Sequence, residues 1–466
     1  MATTQQTEVP AALADPAVTA PEQTDFPTQL RNYIDPRKWL ESSSGRAIPL
    51  LIAMAIIWLY FEAVTNGNFF SPGNVTNILV YTAVYGIVAV GVTVVLLLGE
   101  IDLSLGSLVG LAGCCSAAVM IEPIQWGFNL PVVGSVGIDI AGAPLLSPVP
   151  KLIVGLAVGI GVGLICGIWN GFWVAVMKIP SFVVTLAGLL AFYGLALVVT
   201  NSQTLEITDD YYNALGASSN SYWDRGYLGN LVGSNSNVVH LSLGMAVVLI
   251  AGAGYTLMLL ATARSRARAG LPRRSVWSLC AQSIALTVAL LVVVEVLDKY
   301  QGVPIPLFIF MVTLVVFSYI TRRTRFGRHI FATGGNAEAA RRAGIAVRRV
   351  RWSAFIISGL LAGLTGIIFM ARVNSANGGN PDQSFLLLCI ASAVIGGTSL
   401  FGGRGSIWGA LTGALMISSV QTGMGLTLAS NTNSEYYEYI VEAAILLGAV
   451  WLDTYGKSRS TVDRGA

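Results

Sequence analysis

Apolar residues run through this chain in stretches of about twenty, the length a helix needs to cross a bilayer, separated by short polar or glycine-rich breaks. The pattern predicts a first apolar run from Ala47 to about Val64. Further segments follow at about 76–98, 103–121, 152–176, 181–200, 240–262, 277–297, 304–320, 352–371, 385–400, 406–426 and 436–452. Around Gly99 and Gly402 the runs are interrupted by glycine and charge, so some segments are expected to be broken or re-entrant. The predicted fold is an all-α polytopic membrane bundle of about 10–12 transmembrane helices.

Composition agrees with that pattern. Hydrophobic residues make up 54% of the 466 and charged residues 11%, less than half of the roughly 25% usual in soluble domains. Mean hydropathy is +0.68. Fifty-one glycines suit close helix packing in lipid. The net charge of +3 carries no nucleic-acid signal, because the basic residues cluster between apolar runs and mark sidedness. Residues 264–274 (RSRARAGLPRR) hold five basic residues and 321–351 hold nine, so two loops contain fourteen of the 27. Both are read as cytoplasmic, within loops 263–276 and 321–351. The segments 122–151 and 201–239 then fall outside, the second with four acids to one arginine.

The same parity places both termini in the cytoplasm. Residues 1–46 read as a largely disordered tail that becomes basic before the first run, without a signal-peptide pattern. A transmembrane domain spans 47–452. The tail 453–466, with Lys457, Arg459 and Arg464, returns inside. Trp39 and Trp58–Tyr60 suit the interfaces.

Cysteine and histidine offer little chemistry. Cys114, Cys115, Cys166, Cys280 and Cys389 lie in apolar runs without a CxxC pair, as small core residues do. His240 and His329 are the two histidines, and no metal or catalytic site is expected.

The basic segment 321–351 reads as more than a charge belt. Asn336 is placed to cap a short helix over Ala337–Arg342, with Glu338 in its first turn and Gly344 ending it. Such a helix on a basic loop is either a docking surface or incidental to a topological anchor facing anionic lipid.

A second stretch, Leu98-Gly-Glu-Ile-Asp-Leu-Ser-Leu-Gly-Ser107, puts Glu100 and Asp102 between apolar runs, with Ser104 and Gly106 beside them. Carboxylates at membrane depth are expensive and usually face a bundle interior or water. These line a solute path, bind a coupling ion at a broken helix, or sit at the inner edge as cap or hinge of the next helix. Three other features have alternatives. The aromatic loop 201–239 either meets an external partner or packs over the bundle. Asn374, Asn377, Asn380 and Asp382 form a polar turn or an outer contact. Arg404 sits in a turn, snorkels, or pairs with an acid such as Asp102.

Glu338-Ala339-Ala340, followed three residues later by Gly344, resembles the EAA loop of bacterial ABC-importer permeases, and GGNAEAARRAGI resembles the version in monosaccharide permeases. GEIDLSLGSLVGLAG is similar to the signature of ribose-, xylose- and galactose-type importer permeases. Glu100 replaces a common glycine there, which is closer to the xylose-type branch. AVIGGTSLFGGRGSIWGALTGA resembles the C-terminal signature, and 264–304 resembles an extra helical pair of xylose-type permeases.

The resemblance implies a short helix that fits a groove on a cytoplasmic ABC ATPase subunit, through Asn336, Glu338, Ala339, Ala340 and Gly344. It also implies a second permease copy, an extracytoplasmic sugar-binding protein, a monosaccharide substrate and a bacterial plasma-membrane location. No GxxxxGK[ST] loop occurs in the sequence, so ATP-Mg is expected on the partner ATPase, with no cofactor in this chain. The expected function is a non-enzymatic permease subunit importing xylose or a related sugar. The alternative is an ion-coupled secondary transporter using Glu100 and Asp102.

Overall fold

The structure is a computed structural model. It describes residues 47–121, 125–130, 134–139, 148–217, 222–223, 243–269, 276–300, 302–381 and 383–428, with scattered helical positions between 437 and 447. The predicted segment 436–452, the terminal tails, His240 and Asp382 lie at or largely outside these residues. The chain divides into two units, 1–56 and 57–466. In the first, the described part is the apolar start of helix α1 (Ala47–Val64).

The apolar runs become helices in the predicted order. After α1 come α2 (Pro72–Leu96), α3 (Leu105–Met120), α4 (Pro148–Ala175), α5 (Ser181–Thr200) and the short α6 (Asp210–Ala214). Then follow α7 (Leu243–Arg268), α8 (Val276–Asp298), α9 (Ile305–Arg323), α10 (Arg325–Gly335) and α11 (Ala337–Arg342). Helices α12 (Val347–Val373), α13 (Gln383–Ile395) and α14 (Ile407–Leu428) complete the set. Seven of these helices are long and apolar enough to cross a membrane: α2, α4, α5, α7, α8, α9 and α12. Helix α14 is long enough, but Ser418, Ser419, Gln421 and its glycines dilute its apolar character. Strand is confined to three antiparallel pairs among the described residues.

Two helices are short. At 1.5 Å per residue, α3 reaches about 24 Å and α13 about 20 Å, below the ~30 Å of a hydrocarbon core. Each abuts one of the glycine-interrupted stretches, 97–104 before α3 and 396–406 after α13. These are the broken segments that the pattern predicts.

Burial separates centre from periphery. In α2, 89% of the apolar window is buried, and in α12 72%, against 6% in α7. Helix α12 packs along α4 through facing glycines: a Cβ at Gly163 would lie 2.4 Å from Gly359 O, and one at Gly363 2.7 Å from Gly159 O. Small residues at four-residue spacing let the backbones approach, which drives helix association where lipid removes a hydrophobic drive. The peripheral α7 and α8 pair with each other, joined by Thr256 Oγ1 and Ser283 Oγ at 2.6 Å. From Ile57 onward, α1 packs on α14, with Trp58 Nε1 donating to Ser419 Oγ at 2.9 Å.

Residues 201–217 pack over the bundle. Strand β1 (Leu205–Glu206) pairs with β2 (Ser375–Ala376), and Tyr212 of α6 is fully buried. Beside them, Asn374 ends α12 in the left-handed conformation, and Asn377 Oδ1 accepts from Gly379 N at 2.7 Å. This is a polar turn of the kind asparagine builds.

Candidate functional site

The basic segment folds as two consecutive helices at the end of α9. Thr324 caps α10 by accepting from Gly327 N at 3.3 Å. Extended Asn336 then separates α10 from α11, and its Oδ1 accepts from Ala339 N at 2.9 Å. Glu338 sits in the first turn and pairs with Arg341 at 3.2 Å and Arg342 at 3.3 Å. All three side chains are exposed, so each pair is worth about 0.3–0.5 kcal/mol and mainly shapes the surface. Ala340 is buried and anchors the helix, while Ala339 beside it is exposed. Gly344, at φ +83°, ends the turn, with Ile345 N donating to Ala340 O at 3.0 Å. A left-handed residue at this position satisfies the last carbonyls, and glycine adopts it without strain. The result is a small helix, held at both ends, that presents Glu338, Ala339, Arg341 and Arg342 outward.

The last turn of α10, directly before this helix, rests on both broken segments. A Cβ at Gly334 would lie 1.7 Å from Leu97 O, and Gly403 N donates to that same carbonyl at 2.9 Å. Gly402, at φ +84°, would bring a Cβ within 2.8 Å of Gly99 N. Backbone from three remote stretches therefore meets with no side chain between. Any movement of α10 and α11 bears directly on 97–104 and 396–406.

Side chains reinforce the junction. Arg351, in the first turns of α12, places Nε 3.1 Å from Glu100 Oε1. Its N–H is not aligned with the carboxylate, so the contact is ionic rather than a hydrogen bond. Asp102 turns away from this pair into the interior. Its Oδ1 accepts from Ser104 N at 3.0 Å and from Ser104 Oγ at 2.6 Å. Asn170 Nδ2 of α4 donates to Ser104 Oγ at 2.8 Å, and Ile101 N donates to Ser181 Oγ of α5 at 3.3 Å. Asp102 lies in the connection between helices, where burial pushes its carboxyl up to about 6 against the lowering effect of the Ser104 hydrogen bonds. A cleft of about 650 Å³ opens beside these groups, lined by Glu100, Lys178, Ile345, Arg348 and Arg351 among others.

The sequence-predicted residues thus fall into one connected region, with two rearrangements. Ser104, not Asp102, occupies the N-cap position of α3, and its side chain makes no capping bond. Asp102 instead closes a local turn onto Ser104. Arg404 forms no ion pair with Asp102 among the described residues; its carbonyl accepts from Ser399 N at 2.9 Å, closing its own loop, and Arg351 takes the acid partner at Glu100. Gly106 makes its contribution by closeness: a Cβ there would meet Leu386 Cβ at 3.2 Å. Sequence reasoning missed Arg351, Asn170, Ser181 and Gly334, whose roles arise from packing.

Broken segments packed on the end of α10 thus lie at one end of a multi-pass helical membrane bundle. The chain belongs to the family described as branched-chain amino acid transport system / permease component, whose model matches residues 74–450. It is 35% identical over 422 residues to the xylose transport system permease protein XylH of Haemophilus influenzae, covering 90% of this chain and 99% of that protein. It is also 35% identical over 424 residues to XylH of Escherichia coli K12, covering 90% and 95%. The ribose import permease protein RbsC of H. influenzae is 29% identical over 408 residues, covering 88% and 92%. No solved structure matches the chain.

Proposed function

We propose that this chain is the membrane-spanning subunit of an ATP-driven importer that carries xylose or a related monosaccharide into a bacterial cell. A cytoplasmic ATPase subunit docks on α11 through the exposed face at Glu338 and Ala339. Its movement passes through Gly334 and the Glu100–Arg351 contact into the broken segments, opening the bundle on alternate sides. ATP-Mg is held by that partner, a sugar-binding protein delivers substrate from outside, and a second copy of this chain completes the membrane unit. The basic end of the bundle, with both termini, faces the cytoplasm.

The observation that carries this reading is α11 itself: a six-residue helix capped by Asn336, ended by Gly344 and following directly on α10, whose last turn meets both broken segments. An ion-coupled carrier has no need of it, and here Glu100 is engaged by Arg351 and Asp102 by Ser104. The likeness to xylose and ribose permeases over about nine-tenths of the chain supports the sugar assignment.

Co-purification from a gentle detergent tests the docking. The ATPase should travel with the wild type and be lost from Glu338→Arg and Gly344→Trp. A wild type that carries no ATPase, yet takes up sugar in response to an ion gradient, overturns the proposal.

A further inference from the structure

Helix α2 is almost wholly buried and built mainly from valine, alanine, isoleucine and glycine. Along one of its stripes, at i, i+4 and i+8, it nevertheless carries Asn77, Tyr81 and Tyr85. Asn77 and Tyr81 are half-buried and Tyr85 is 5% exposed, so the stripe runs from an accessible end to a closed one. That accessible end is the one away from α11, the outer end on the orientation proposed above.

Polar and aromatic groups from three other helices face the stripe. Arg372, in the last turn of α12, lies over the Tyr81 ring at 5.9 Å from its centroid. It donates to Asn77 Oδ1, and at 2.9 Å to Ala217 O. Among the described residues no carboxylate lies within ion-pair distance of it, so only neutral acceptors and a ring meet the charge. A charged side chain in a membrane bundle is costly and marks function by default. Deeper in, Tyr85 Oη donates to Gln421 Oε1 of α14, and the Tyr85 ring packs against Phe385 of α13 at 5.3 Å. Tyr81 and Tyr85 are stacked, with centroids 6.2 Å apart and planes 20° from parallel.

This combination suits one class of solute. A pyranose offers an apolar C–H face and a rim of hydroxyls that both donate and accept. A tyrosine ring covers such a face, a guanidinium and amides satisfy the hydroxyls, and a few polar groups among aromatic walls are the usual build of a small-molecule site. We propose that the stripe is a monosaccharide-binding vestibule in the outer half of the bundle. The sugar lies on Tyr81, its hydroxyls meet Asn77, Arg372 and Gln421, and the floor is Tyr85 with Phe385. This rests on the importer reading above and adds the place where the permease itself holds its substrate. The floor is closed in this conformation, and opening it requires the Tyr85–Gln421 hydrogen bond to break.

The test is uptake of radiolabelled xylose by the complete complex in proteoliposomes, comparing wild type with Tyr81→Leu, Tyr81→Phe and Gln421→Met. Loss of a stacking ring or of a hydroxyl partner should lower uptake at subsaturating sugar about tenfold or more for Leu and Met. The Phe variant, which keeps the ring, should stay within about threefold of wild type. Gln421→Met should also lose the wild-type preference for xylose over a singly deoxygenated analogue, a change that general destabilisation does not produce. Wild-type uptake and preference in both Tyr81→Leu and Gln421→Met overturn the vestibule while leaving the importer reading intact. A wild-type complex that moves no monosaccharide overturns both.

Discussion

Arg351 Nε stands 3.1 Å from Glu100 Oε1, tying the start of α12 to the connection that follows α2. The side chains are 31% and 14% exposed, so the pair is neither a solvated surface bridge nor a fully buried one. A coupling energy on the order of 1–3 kcal/mol is expected, between those two limits. Glu100→Arg and Arg351→Glu should each reduce sugar moved per ATP hydrolysed. The double reversal should restore it in part, since the contact is ionic and tolerates exchange. A double-mutant cycle in the reconstituted complex measures this. Additive losses with no recovery would show that the two residues act separately.

The caps of α11 predict a graded effect. Removing the Asn336 acceptor leaves the Ala339 N–H unsatisfied, at a cost of about 1 kcal/mol to a helix of six residues. Gly344→Ala forces a side chain into φ +83°, for roughly another 1 kcal/mol. Neither touches the exposed face at Glu338 directly. Both variants should therefore retain the ATPase with affinity lowered about fivefold, as a population effect, where Glu338→Arg abolishes retention. Titrating the purified ATPase against permease in nanodiscs distinguishes the two behaviours.

Those caps were legible in the sequence because they are local. Asn336, Glu338 and Gly344 lie within nine positions and act on their own turn, so spacing alone places them. Membrane segments were legible for the same reason, each being a property of a continuous run. The Glu100–Arg351 contact was not, because nothing near either residue names its partner, and Arg404 beside the second broken segment offered an equally good cation. Packing decides against Arg404, whose loop closes on Ser399. Gly402 and Gly403 were visible as a glycine break in an apolar run, but the meeting of Gly334 and Gly403 at Leu97 O needs the assembled bundle. Asn77, Arg372 and Gln421 went unremarked because one polar residue inside an apolar run carries no direction until its neighbours are known.

Asp102 gives a prediction in pH. Burial lifts its carboxyl from 3.8 to about 6, so the folded state holds the proton more tightly than the unfolded chain. The stability it contributes is complete below pH ~4 and is lost as pH rises toward ~6, with no further change above. Asp102→Asn keeps an Oδ1 acceptor for Ser104 N and Oγ and removes the titration. The melting temperature of the variant minus that of the wild type, in one detergent, should climb from about pH 4 to about pH 6 and then level off. A difference constant across that range would mean that Asp102 keeps an ordinary carboxyl in the folded protein.

Two adjacent glycines provide the sharpest contrast. A methyl group at Gly334 would stand 1.7 Å from Leu97 O and within 2.8 Å of Gly403 N, where only backbone is available to move. At Gly335 nothing lies within 4 Å of the same added atom. Gly334→Ala must push α10 off the broken segments, at roughly 1–3 kcal/mol or more, while Gly335→Ala should fold as the wild type does. The consequence for transport differs from that for docking. Since α11 and its caps stay intact in Gly334→Ala, the variant should still bind the ATPase and still allow ATP hydrolysis, but move little sugar per ATP. Gly335→Ala should transport normally. Equal transport by both variants would mean that force from α11 reaches the bundle by another route, and the connection through α12 and Arg351 would be the next to cut.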